Sequence, residues 1–221
     1  ALHARSISDP EGFWGEQAAL VDWQAPFTRV LDYSRPPFAK WFVGGRLNLC
    51  HNAIDRHLAE LGDSPALIYL STETGQEKIY TFKQLYREVN RMAGILKGLG
   101  VGKGDRVLIY MPMIAEAAFA MLACVRIGAI HSVVFGGFAS VSLATRIDDA
   151  KPKLIISADA GSRAGKPVPY KHLLDEAIRL SKAPPDKVLL VDRGLAEMAR
   201  VEGRDVDYAK LRAEHMNDEV P

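Results

Sequence analysis

The chain has 221 residues, the range of one large domain or two small ones, and a chain of this size buries roughly 70% of its unfolded surface on folding, enough to need no metal or disulfide staple. Hydrophobic residues make up 48% and charged residues 25%, which excludes a disordered or collagen-like chain. With 28 Lys+Arg against 27 Asp+Glu the net charge is +1, so neither a nucleic-acid footprint nor an anionic-membrane footprint is expected, and any anion site must be local. Cys50 and Cys124 both stand on apolar backgrounds, which predicts buried thiols in a reducing, cytoplasmic compartment rather than a disulfide framework. No run of 18 apolar residues occurs, and Ala1 to Glu11 has no apolar signal-peptide core, so neither membrane crossing nor secretion is expected.

In chain order, Asp9-Pro10 supplies an N-cap followed by proline in a first turn and predicts a short helix to about Val21. From Pro26 to Gly45, prolines and glycines alternate with Phe27, Tyr33, Phe38, Trp41 and Phe42, which reads as an extended strap that docks aromatic rings and forms no regular ladder. Asn48 to Leu61 is spaced as a second helix ending at Gly62. The texture then changes. Ala66–Leu70 and Lys78–Tyr80 flank Thr74-Gly75 as a hairpin, and Thr81-Phe-Lys-Gln84 is a capping box opening a helix with Leu85, Val89, Met92, Ala93, Leu96 and Leu99 on its apolar positions. Buried strands are expected at 106–111, 133–135, 153–157 and 187–191. Between them lie an all-round apolar helix at 115–127 and helices near 140–150 and 170–182, with one more near Tyr208 to His215. The fold class is therefore α/β: a helical and extended arm over residues 1–62, then, over 63–221, a mostly parallel sheet with helices on both faces.

Three motifs invite a chemical reading. Gly98-Leu-Gly100-Val-Gly102-Lys-Gly104 follows a helix and precedes a strand, the reverse of a dinucleotide fingerprint, so it is read as a helix end and turn. Gly136-Gly137 lies at the carboxyl edge of the expected sheet, ahead of a Ser140 N-cap. Phe135 and Phe138 beside it offer rings to a purine, and spacing alone leaves a tight turn and a ligand edge both open. In Ser162-Arg163-Ala164-Gly165-Lys166-Pro167 two cations three residues apart in a loop suit one phosphate, or simply water. His51, Asp55 and His57 lack the spacing of a metal pair and are read as helix surface. No Gly-x-Ser-x-Gly elbow is present and neither cysteine has a catalytic context, so no catalytic residue is assigned.

The segment Leu31-Asp-Tyr-Ser-Arg-Pro-Pro-Phe-Ala-Lys-Trp-Phe-Val-Gly-Gly-Arg-Leu-Asn-Leu-Cys-His-Asn-Ala-Ile-Asp-Arg-His57 resembles the N-terminal signature of the short-chain, AMP-forming acyl-CoA synthetases, the propionyl branch first and the acetyl branch next. Tyr80-Thr-Phe, Gly104-Asp-Arg-Val107, Ala123 to Gly128, Ala129 to Phe138 and Ala158 to Lys166 continue the likeness in the same order. The resemblance implies part of the large domain of an adenylate-forming enzyme, which activates propionate or acetate with ATP and Mg²⁺ and passes the acyl group to coenzyme A. It implies that Phe135, Gly136 and Gly137 line the nucleotide end of the coenzyme A site and that Arg163, Ala164, Gly165 and Lys166 match the stretch holding its phosphates. Lys166 stands where the acetyl branch has a second arginine, keeping the charge without the planar fork. The family's Tyr-Thr-Ser-Gly-Thr-Thr-Gly-x-Pro-Lys-Gly phosphate loop is absent from these 221 residues and would be expected next after Pro221. The expectation is an N-terminal portion of a longer ligase, inactive alone, whose partners are small molecules and the rest of its own chain. An autonomous nucleotide-binding module and a purely structural fragment are the rival readings.

Overall fold

The computed structural model describes residues 1–136, 138–163 and 165–220, with the backbone alone at Arg163. Contacts divide the chain into one unit, Ala1–Arg56, and another from His57 onward.

In the first unit α1 (Leu2–Ser8) leads into α2 (Pro10–Ala18). The Asp9 carboxylate accepts the Gly12 N–H at 3.1 Å, and Pro10 sits in the first turn, where its missing N–H leaves no bond unmade. The helix ends at Ala18 rather than near Val21, and α1, with no buried residue, had no apolar stripe to announce it. The strap expected at 26–45 is instead an antiparallel hairpin of β1 (Arg29–Arg35) and β2 (Phe38–Val43), with Leu31 opposite Trp41 and Asp32 opposite Lys40. The prolines stand outside its ladder: Pro26 precedes it and Pro36-Pro37 forms the turn. Trp23, Phe27 and Phe42 pack edge-on or tilted with centroids 5.1, 5.2 and 5.4 Å apart, whereas Tyr33, Phe38 and Trp41 stay exposed.

The helix expected over 48–61 is broken. Asn48 caps α3 (Leu49–Ala53) by accepting the Cys50 and His51 N–H groups, a 3-10 turn follows at Asp55–His57, and α4 (Leu58–Leu61) completes the run. Between them Ile54 leaves helical geometry at φ −129°, ψ −62° with its side chain 1% exposed, so burial of one apolar residue outweighs helical continuity. His51 Nε2 faces Asp22 at 3.2 Å, and among the described residues no group of three His, Cys, Asp or Glu is placed to hold a metal ion.

The second unit follows the expected alternation more closely. β3 (Pro65–Leu70) and β4 (Glu77–Thr81) form the hairpin, and Thr81 opens α5 (Phe82–Gly98) with a complete capping box: its Oγ1 accepts the Gln84 N–H at 3.3 Å while Gln84 Oε1 accepts the Thr81 N–H at 2.9 Å. The glycine run after α5 is a turn, with Gly100 and Gly104 at φ +83° and +84°. Then come β5 (Arg106–Tyr110), α6 (Ala115–Arg126), β6 (Ile130–Val133), α7 (Ser140–Ala150), β7 (Leu154–Ala158), β8 (Gly161–Arg163), β9 (Lys166–Val168), α8 (Tyr170–Leu180), β10 (Lys187–Val191), β11 (Asp205–Asp207) and α9 (Tyr208–Glu214). Five strands form a parallel sheet in the order β11-β10-β7-β5-β6. β6 ends at Val133, earlier than expected, because an edge strand is not required to be apolar on both faces and His131 and Ser132 belong to it. The cap of α7 is Ala139, and the Ser140 side chain makes no capping bond.

Alternate residues of the strands face opposite layers. Leu108, Tyr110, Ile155, Val188 and Leu190 join Leu143, Ala144, Ile147, Leu174 and Ala177 of α7 and α8 in one core. On the other side Val107, Ile109, Leu154, Ile156 and Leu189 are buried where α6 meets β5 and α9 meets β10. Cys50 and Cys124 are both buried, and burial pushes the Cys124 thiol up to about 12. Among the described residues no helix is long and apolar enough to cross a membrane.

A buried ion network joins α8 to the sheet edge. Lys171 Nζ lies 2.5 Å from Asp175 Oδ2 and 3.1 Å from Asp205 Oδ2, and Arg204 reaches Asp175 at 2.5 Å and Asp205 at 2.6 Å. The side chains of Lys171 and Asp205 are 4% and 0% exposed. Burial alone would raise the Asp205 pKa, but hydrogen bonds from Arg204, the Val201 N–H and Lys171 hold it below its ordinary 3.8. A depressed acid contributes stability above its ordinary pKa and loses it as pH falls through the lowered one. Lys171→Met should therefore cost about 3 kcal/mol in urea unfolding at pH 7. The loss of stability below pH 3.8 should be shallower in the variant than in the parent.

Candidate functional site

In this strand order β6 lies on one side of β5 and β7 on the other, so the connections leaving the carboxyl ends of β5 and β7 diverge and open a crevice at the switch point. A cleft of about 560 Å³ lies there. Its walls are Met111, Pro112 and Met113 after β5, Val133 at the end of β6 and Val134 to Gly136 after it, Ser162 and Val168 of the β8–β9 hairpin, Tyr170 at the start of α8, and Glu73.

Tyr170 shapes the cleft. Its ring is 7% exposed, tilted against Tyr110 with centroids 4.9 Å apart. A Cβ at Gly136 would stand 1.6 Å from the Tyr170 hydroxyl oxygen, and one at Gly161 would stand 2.9 Å from the ring. Each glycine is there because the tyrosine occupies the space a side chain would need. Burial first, and the Glu73 charge second, raise the Tyr170 pKa. The phenol thus stays protonated in the neutral range, and burial pushes Tyr110 up to about 12.

Of the residues predicted for the site, Phe135 and Gly136 line the cleft. Phe135 is 66% exposed and meets Phe138 edge to face at 6.0 Å. Phe138 is less free to take a ligand, because it packs on the core and Arg146 lies 4.7 Å above its ring. The expected loop at 162–167 is instead the hairpin of β8 and β9, with Gly161 opposite Val168 and Arg163 opposite Lys166. Gly165 turns it at φ +75°, a left-handed conformation that favours glycine. Lys166 is exposed and makes no ion pair among the described residues, and it is not among the residues lining the cleft. Gly137 and Ala164 lie outside the described residues, and of Arg163 only the strand register is described.

Comparison with known proteins gives a consistent result. The family model for "AMP-binding enzyme" matches residues 54–218, and that for "Acetyl-coenzyme A synthetase N-terminus" matches residues 1–53. The chain is 64% identical over 220 residues to propionate--CoA ligase of Escherichia coli, covering 100% of this chain and 35% of the relative. It is 50% identical over 224 residues to an acetyl-coenzyme A synthetase of Methylorubrum extorquens, covering 100% of this chain and 34% of the relative. Among solved structures, acetoacetyl-CoA synthetase from Streptomyces lividans superposes with a TM-score of 0.86 at 29% identity, over 100% of this chain and 33% of that one. The chain spans about a third of the length of the curated relatives it matches.

Sequence reasoning missed Tyr170, Glu73 and the methionines after β5. Tyr170 follows Pro167-Val-Pro169, which marks a helix start but says nothing of what the ring meets, and Glu73 sits in an ordinary polar turn. The tyrosine is testable through its glycine. Gly136→Ala should cost about 2 kcal/mol by overpacking, and in a Tyr170→Ala background the same change should cost at least about 1 kcal/mol less, as a double-mutant cycle of urea midpoints would record.

Proposed function

Because the chain belongs to the AMP-binding enzyme family, we propose that it is the N-terminal portion of an AMP-forming propionate–CoA ligase, with acetate as the alternative substrate. The parent converts the carboxylate, ATP and coenzyme A to acyl-CoA, AMP and pyrophosphate through an acyl-adenylate. Higher identity to the propionate--CoA ligase than to the acetyl-coenzyme A synthetase supports propionate. Residues 1–62 are its N-terminal arm and 63–221 the first α/β subdomain of its adenylate-forming domain. Two buried cysteines on apolar surroundings support a cytoplasmic, reducing setting.

The observation that carries this reading is the cleft at the switch point of the sheet, with an exposed aromatic ring, Phe135, at its mouth. Coenzyme A fits that chemistry. The ring offers a face to adenine, Gly136 keeps its backbone free of a side chain beside it, and the hairpin register sets Arg163 opposite Lys166, two cationic residues for the phosphates, with Gly137 and Ala164 assigned to the site from the sequence alone. The bound carrier supplies the thiol that takes the acyl group. Activation of the carboxylate requires positioned charge around the phosphates of ATP. These 221 residues hold no phosphate loop, so ATP, Mg²⁺ and the adenylation step belong to the remainder of the parent chain.

Two measurements test the reading. Purified 221-residue chain should support no propionate-dependent ATP–pyrophosphate exchange; measurable exchange would sink the division of labour. By titration calorimetry it should bind coenzyme A about tenfold more tightly than dephospho-coenzyme A, the effect of one charge-assisted phosphate contact. Indifference to the 3′-phosphate would remove the phosphate grip, and preference for a dinucleotide would favour the autonomous nucleotide-binding module.

A further inference from the structure

Glu73 lies in the turn between β3 and β4, far along the chain from the β8–β9 hairpin, yet its carboxylate ties the two together. Oε1 accepts the Ser162 N–H at 2.7 Å, and Oε2 accepts Nη2 of Arg193 at 2.5 Å. Arg193, just past β10, also donates Nη1 to the Ala160 carbonyl at 2.9 Å. The backbone is therefore held immediately before and immediately after Gly161, the residue seated under the Tyr170 ring.

The bland alternative is a surface ion pair, which contributes little. Three observations weigh against it. The Arg193 side chain is 9% exposed and that of Glu73 21%, so solvent screens the pair poorly. Both partners direct their remaining capacity to main-chain atoms of one short segment, and bonds from charged groups to backbone are stronger than neutral ones. That segment also has little else to orient it. β8 and β9 pair only with each other, and Ser162, Gly165, Lys166 and Pro167 are exposed. Gly161 under Tyr170 and Val168 against the core anchor the base of the hairpin, but contacts at the base alone do not set the direction of its exposed tip.

We infer that Glu73, braced by Arg193, is a positioning residue that sets the orientation of the hairpin formed by β8 and β9, so that Lys166 meets the phosphate end of the thiol carrier. The inference rests on the reading that this hairpin meets coenzyme A. Glu73 touches neither carrier nor reacting atoms. It lowers the ordering that binding would otherwise demand of the hairpin.

The test uses the full 221-residue chain with Glu73→Ala and, as the milder variant that keeps the size and one acceptor, Glu73→Gln. Hydrogen exchange of amides 161–168 should speed up about tenfold in Glu73→Ala and less in Glu73→Gln, while exchange in β5, β7 and β10 stays at the parental rate. Calorimetry should show coenzyme A affinity falling about tenfold in Glu73→Ala, with dephospho-coenzyme A affinity changing less than about twofold. Unchanged hairpin exchange in both variants overturns the inference whatever binds. Faster exchange with unchanged coenzyme A affinity overturns the positioning role. Parental chain that does not distinguish the two carriers overturns the reading beneath it, and that arm needs no variant.

Discussion

The cleft exists in its present form because one ring and two backbones share a space that leaves no room for a side chain. Tyr170 enters at the first residue of α8 and lies against Gly136 on one side and Gly161 on the other. This ties together the ends of three strands that would otherwise be free to splay: the turn after β6, the hairpin after β7, and, through Tyr110, the last residue of β5. A glycine after a strand is commonly credited to a ligand that must come close. Here the close approach is made by the protein itself, and the exposed Phe135 ring lies beyond it.

Much of the second unit was legible in the sequence, and the reasons are local. The Thr81 and Gln84 capping box, the amphipathic stripe of α5 and the apolar run at Lys187–Val191 each declare themselves within a dozen residues. The parallel sheet followed from the alternation of strands and helices. The failures share a cause as well. The number of prolines between 26 and 37 argues against a ladder, whereas what matters is whether they fall in the ladder or in its turn. Ile54 breaks a helix because of what it buries, which no spacing reveals. The β8–β9 hairpin has three-residue strands and an exposed tip, so it carries no period to detect.

The candidate site was legible only in part, for a different reason. Glycines and cations can be picked out, and Phe135 and Gly136 do line the cleft. The groups that organise them, Tyr170, Glu73 and Arg193, act across long stretches of chain, and single residues of these types are ordinary anywhere. Electrostatics follows the same division. A charge network of Lys171 with Asp175, Arg204 and Asp205 stands on the far strand and holds α8 to the sheet, while the hairpin next to the cleft leaves Lys166 exposed and without an ion pair among the described residues.

The hairpin of β8 and β9 interrupts the path from a central strand to its covering helix without giving the interior any described residue from its tip: Ser162 and 165–167 are all exposed. Changes at Ser162, Lys166 and Pro167 should cost folding little, whereas Gly165, turning at φ +75°, is held to glycine by its backbone. What the tip touches can thus change without renegotiating the sheet behind it, while the two glycines under the aromatic ring are fixed by packing.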